Sequence, residues 1–141
     1  MDYYLHDVSD FPFVALISAR CPPGYAELWN REMDALLDSG RLFVVAFEPD
    51  ALNETAEDFR TRGVWFKKKR ALLAGRCAAM VAVVPSGEVR AAHFDDMAKR
   101  SRGFGVRYCA VESFEAASQA TAQLIDSVRQ HPDRIADYPQ A

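Results

Sequence analysis

Leu42-Phe43-Val44-Val45-Ala46-Phe47 is an uninterrupted apolar run of strand length. A strand with one wet face alternates apolar and polar residues. A run without alternation therefore predicts a strand covered on both faces, as in a parallel sheet flanked by helices. Residues 78–84 repeat the pattern and are closed by Pro85, and residues 106–111, apolar but for Arg107, read as the last strand. Upstream, residues 3–8 and 13–19 are strand-like, separated by Ser9-Asp10 and Pro12, and their composition suits neighbouring strands.

Segments of helical period fill the gaps. After Pro22-Pro23-Gly24, Tyr25, Leu28, Trp29, Met33, Leu36 and Leu37 recur at spacings of three and four, with Glu27, Arg31, Asp34 and Asp38 between them. That spacing predicts an amphipathic helix ended by Ser39-Gly40. A second helix starts near Asn53 or Thr55, where Thr55 followed by Asp58 fits a capping box. It runs to about residue 76 with Phe59, Trp65, Phe66, Leu72 and Leu73 as its apolar positions. Ser86 caps a third helix that turns Val89, His93, Phe94 and Met97 inward and ends at Gly103-Phe104-Gly105. Ser113 caps the last, with Ala117, Ala120, Leu124 and Val128 on one stripe.

The order β-β-α-β-α-β-α-β-α predicts a single α/β domain over residues 1–130. Its sheet is mainly parallel, with residues 3–8 as an N-terminal antiparallel edge strand, and about four helices cover it. Residues 131–141, with Pro132 and Pro139, read as a C-terminal surface coil. A chain of 141 residues, half of them hydrophobic, is long enough to bury a core without metal or disulfide staples. Cys21, Cys77 and Cys109 are odd in number, lack a CxxC pair and have mostly apolar flanks, which predicts buried reduced thiols. With no basic stretch ahead of an apolar run at the start, and no apolar run near the roughly 20 residues that cross a bilayer, the expected location is cytoplasmic.

This strand and helix order resembles the STAS domain, and specifically its SpoIIAA-like bacterial branch. The residues that carry the resemblance are Phe13-Val14-Ala15-Leu16-Ile17, Leu42 to Phe47, Met80-Val81-Ala82-Val83-Val84-Pro85, and Phe114-Glu115-Ala116-Ala117 at the start of the last helix. The resemblance implies a regulatory protein that works by binding a protein partner. Family members that act as anti-sigma antagonists carry a phosphorylatable Ser at the start of the helix after the central strand. Here that stretch reads Pro49-Asp50-Ala51-Leu52-Asn53-Glu54-Thr55, and its one hydroxyl, Thr55, is crowded by Glu54, Glu57 and Asp58. A phosphate there would meet three like charges, so Thr55 reads as a helix cap and a phosphorylation switch is not inherited.

Charge is strongly segregated. Residues 1–58 hold 12 acidic against 3 basic side chains, and residues 59–109 hold 12 basic against 3 acidic. Either the two halves face each other or a basic face meets an acidic partner. Arg60, Arg62, Lys67, Lys68, Lys69, Arg70 and Arg76 follow one another with no acid among them. Thr55, Arg60, Arg62, Trp65, Lys67, Lys68 and Arg70 on the second helix are accordingly the candidate binding residues. An isoelectric point of 5.6 argues against nucleic acid as the partner, and a homodimer stays open.

Two other readings compete. A small apolar or anionic ligand would occupy a pocket between helices and sheet, walled by Trp29, Phe47, Trp65 and Phe66. An enzyme would use Cys21, at a strand end before a helix where thiolates are stabilised, or His93 paired with Asp96. The residue six after Cys21 is Glu27 rather than the Arg of a phosphatase loop, and His6, His93 and His131 lack metal-ligand spacing. No metal and no cofactor is therefore expected, and a non-catalytic binding protein is the favoured reading.

Overall fold

The computed structural model describes residues 2–92, 96, 99, 101, 103 and 105–130. Its strands β1 (His6–Asp7), β2 (Phe13–Leu16), β3 (Phe43–Phe47), β4 (Cys77–Val83) and β5 (Tyr108–Val111) form one sheet in sequence order. β1 runs antiparallel to β2, and β2, β3, β4 and β5 are successively parallel. The described helices are α1 (Ala26–Asp38), α2 (Ala56–Arg76), α3 (Gly87–Ala92) and α4 (Phe114–Gln130).

The apolar runs are explained by cover on both faces. On one face Val14, Leu16, Phe43, Val45, Met80, Ala82 and Tyr108 meet Trp29, Met33, Leu36 and Leu37 of α1 and Trp65, Phe66 and Leu73 of α2. The intervening residues Val44, Ala46, Ala79, Val81 and Val83 point the other way, onto Ala117 and Ile125 of α4. Leu124 and Val128 pack at the margin of that second layer. Every residue of β4 is buried.

The edge strand is shorter than its composition suggests. Residues 3–8 have strand character, yet only His6 and Asp7 pair with β2, because the backbone N–H groups of Tyr4, Leu5 and His6 are turned onto Glu32 of α1. Residues 13–19 likewise give a strand only to Leu16, since Ser18–Arg20 close into a 3-10 turn. α1 begins without a side-chain cap of its own at Tyr25. It ends where Gly40, at φ +73, takes the left-handed conformation expected after a helix.

Two apolar positions of α2 face solvent, and one inward-facing assignment, Val89, is corrected. Successive helical residues are rotated by about 100°. With Asp58 and Leu73 buried against α1 and the sheet, their neighbours Phe59 and Leu72 swing outward, to 67% and 39% exposure. Val89 of α3 is 39% exposed as well. His93, Phe94, Met97, Phe104 and the coil at 131–141 lie outside the described residues.

Candidate functional site

α2 is positioned by a carboxylate shared between two helices. Thr55 caps α2: its Oγ1 accepts the Asp58 N–H at 3.0 Å, and the Asp58 carboxylate accepts the Thr55 N–H at 3.2 Å. The same carboxylate accepts the N–H groups of Gly24 at 2.9 Å and Ala26 at 3.2 Å, so it also caps α1. Burial alone would push the Asp58 carboxyl up. The N–H groups of Gly24, Thr55 and Ala26, with the Thr55 hydroxyl, outweigh that and hold it below the usual carboxylate range. Thr55 is thus occupied as a structural cap.

The basic stretch divides by what each cation touches. Arg62 pairs with Glu54, its Nε donating at 2.8 Å, and its guanidinium lies 5.5 Å from the Trp29 ring centre. Lys69 reaches Asp34 at 3.4 Å, and Arg76 donates to the Leu37 carbonyl at 3.0 Å. Arg70 donates to the Gly103 carbonyl and packs against Gly105. These contacts answer the charge segregation: acidic α1 and the loop before α2 neutralise one side of α2. Arg60, Lys67 and Lys68 are exposed and form no ion pair among the described residues.

Trp65 belongs to neither group. It is 5% exposed, donates its indole N–H to Asp34 at 2.8 Å, and stands edge-on to Trp29 and Phe66 at 5.1 and 5.4 Å. Trp65 is therefore a core residue and offers a partner no surface. The rings proposed to wall a ligand pocket are packed on one another: Trp29 also meets Phe66 at 5.4 Å, and Phe47 meets Tyr108 at 5.9 Å. A cavity of about 480 Å³ does lie elsewhere, between the α1–β3 turn and α4, lined in part by Arg41, Leu42, Ile125, Asp126 and Arg129. The carbonyl ends of α1 and α4 approach it, and cations beside such ends complement the helix dipole.

What remains on the outer side of α2 is a mixed face. Val64 is 67% exposed, with Arg60 one turn before it, Lys67 and Lys68 one turn after it, and Phe59 at the margin.

The chemical alternatives are weaker. Cys21 is buried, donates to the Ile17 carbonyl at 3.4 Å, and has its thiol pushed up to about 11 by burial and by the Glu32 charge, against an opposing pull from Arg62. The α1 N-terminus that would stabilise a thiolate is already capped by Asp58, so the activation expected from sequence position is absent. Burial, with a smaller contribution from Glu54, also raises the Tyr25 phenol against the pull of Arg62. Ser86 Oγ accepts the Val89 N–H at 3.3 Å and Ser113 Oγ accepts the Ala116 N–H at 3.0 Å. The helix N-termini at the carboxyl ends of the strands, where α/β proteins hold phosphates, thus carry side-chain caps from the chain itself. Among the described residues, no group of three His, Cys, Asp or Glu side chains could hold a metal. None of the described helices is long and apolar enough to cross a membrane.

One functional-looking pair went unnoticed in the sequence, where His6 is weighed only as a metal ligand and Glu32 not at all. Glu32 and His6 are both buried, 2.8 Å apart. Glu32 occupies the inward stripe of α1 beside Met33 and three residues after Trp29, a position where a charge signals a buried partner. Comparison with protein-family models, curated proteins and solved structures gives no match.

Proposed function

We propose that the protein is a cytoplasmic, non-catalytic binding module of STAS-like, SpoIIAA-like type, which engages a protein partner through the outer face of α2. The observation that carries this reading is the exposure of Phe59 and Val64, each 67%, on a well-anchored helix beside the uncompensated cations Arg60, Lys67 and Lys68. Exposed apolar side chains rimmed by polar ones are characteristic of interaction surfaces. The mixed sheet, whose strand order follows the chain from β1 to β5, has the α/β order on which the resemblance was drawn. The capped helix N-termini and the raised Cys21 thiol favour binding over catalysis.

Of the earlier candidates, Arg60, Lys67 and Lys68 would contact the partner. Thr55, Arg62, Trp65 and Arg70 would hold α2 in place. Charge reversal tests this: Arg60→Glu/Lys67→Glu/Lys68→Glu should keep the fold and release the partner, and raised salt should weaken the wild-type complex. The control is a variant with Glu115 on α4 reversed to Lys. Equal retention of the complex by the two variants would remove α2 as the functional surface.

A further inference from the structure

Resting on that reading, we infer that the partner segment is an acidic amphipathic helix, laid along α2 with its carboxylates on Arg60, Lys67 and Lys68. Three occupants compete for the face, and charge and geometry separate them. A second copy of this chain joined through α2 would set the same three cations against each other, and like charges across an interface are repulsive. A lipid surface needs one continuous apolar stripe on the helix. Phe59 and Leu72 are thirteen residues apart and therefore lie about 140° from one another around the buried side of the axis and about 220° around the outer side, where the cations separate them. An acidic protein segment meets neither obstacle.

Helical form follows from the shape of the face. Gly63, Lys67, Ala71 and Gly75 succeed one another at every fourth position, so the ridge they form is low except at Lys67. Glycine inside a helix weakens it relative to alanine. At Gly63 and Gly75 the fold itself gives no reason for it, since an added Cβ would meet no atom within 4 Å and neither residue has a positive φ. A low ridge lets a second helix approach closely. Arg60 and Lys67 are separated by about 10 Å along the axis, so the partner's carboxylates should recur two turns apart, with an apolar residue between them to meet Val64.

The test places the photocrosslinker p-benzoylphenylalanine at position 64 of the full chain, in cells that express the protein natively, and sequences the captured segment. The expected adduct is a protein segment with Asp or Glu at helical spacing. Its yield should fall at least tenfold with Lys67→Glu/Lys68→Glu and severalfold with Gly63→Leu, a change the open space around Gly63 allows the fold to accept. A captured segment that lacks acidic residues, or a yield indifferent to charge reversal, overturns the inference and leaves the binding face standing. Lipid adducts or peptides of this chain overturn it in favour of those occupants. An adduct no stronger than one from Gln119 on α4 overturns the binding face too.

Discussion

Replacing Glu32 by Gln tests the most deeply buried carboxylate among the described residues. Glu32 is fully buried and accepts the N–H groups of Tyr4 at 3.0 Å, Leu5 at 3.1 Å and His6 at 2.9 Å, together with His6 Nδ1 at 2.8 Å. A carboxylate only accepts, so the ring nitrogen facing it carries the proton. His6 Nε2, also buried, has no partner among the described residues. Burial would raise the Glu32 carboxyl, but the His6 and backbone hydrogen bonds prevail and hold it at about 2 against an ordinary 4.5. At about 1.4 kcal/mol per pH unit, that depression is worth about 3 kcal/mol. A hydrogen bond to a charged group, worth about 1.5–3 kcal/mol, leads to the same range. Because the folded-state value is the lower one, the contribution is complete above pH 4.5 and disappears as pH falls toward 2. Urea unfolding followed by the fluorescence of Trp29 and Trp65 should show Glu32→Gln less stable by about 3 kcal/mol at pH 7, with more than half of that difference gone by pH 3. A difference under about 1 kcal/mol at pH 7, or one unchanged at pH 3, would refute the assigned role.

Asp58→Ala should cost about 2–4 kcal/mol, since it uncaps two helices at once, whereas Thr55→Ala should cost about 1 kcal/mol. Urea midpoints should also show the double variant to be less than additive, because the two side chains share their bonds. Trp65→Ala should cost about 3–5 kcal/mol, while Lys67→Gln/Lys68→Gln should change stability by no more than about 0.5 kcal/mol; equal losses would contradict the division of α2 into inner and outer faces. Thiol labelling of the native protein at pH 8 should be slow at Cys21, whose thiol titrates near 11, and at Cys109, which burial also raises against a weaker pull from Arg107. Labelling of Cys21 at the rate of a free thiol would show that its burial is wrong.

Much of the fold was legible because its central strands obey a single rule. β3 and β4 are apolar on both faces and have helices on both faces, and period-two alternation between the two cores follows from the pleat. The edge was harder to read. Residues 3–5 look like strand, but the N–H groups of Tyr4 and Leu5 go to a carboxylate 28 and 27 residues away, a pairing that no local pattern contains. Helical spacing likewise marked Phe59 and Leu72 as apolar without saying which way they face, since that depends on Asp58 reaching across to the start of α1. In the basic stretch, composition located the cations. Only the tertiary partners Glu54, Asp34 and Leu37 separated Arg62, Lys69 and Arg76 from those left to solvent, and only packing moved Trp65 from a candidate contact to the core.

The central claim is that this protein acts by binding through one face of α2, and a crosslinking scan across its surface tests that most directly. The photoreactive residue is placed in turn at Phe59, Val64 and Ala71 on α2, at Gln119 and Gln123 on α4, and at Asp7 on the sheet edge, all of them exposed. The account predicts one recurring adduct from the three α2 positions, abolished in the Arg60→Glu/Lys67→Glu/Lys68→Glu background and absent from α4 and β1. Adducts that come from α4 or the sheet edge while α2 stays silent would contradict it.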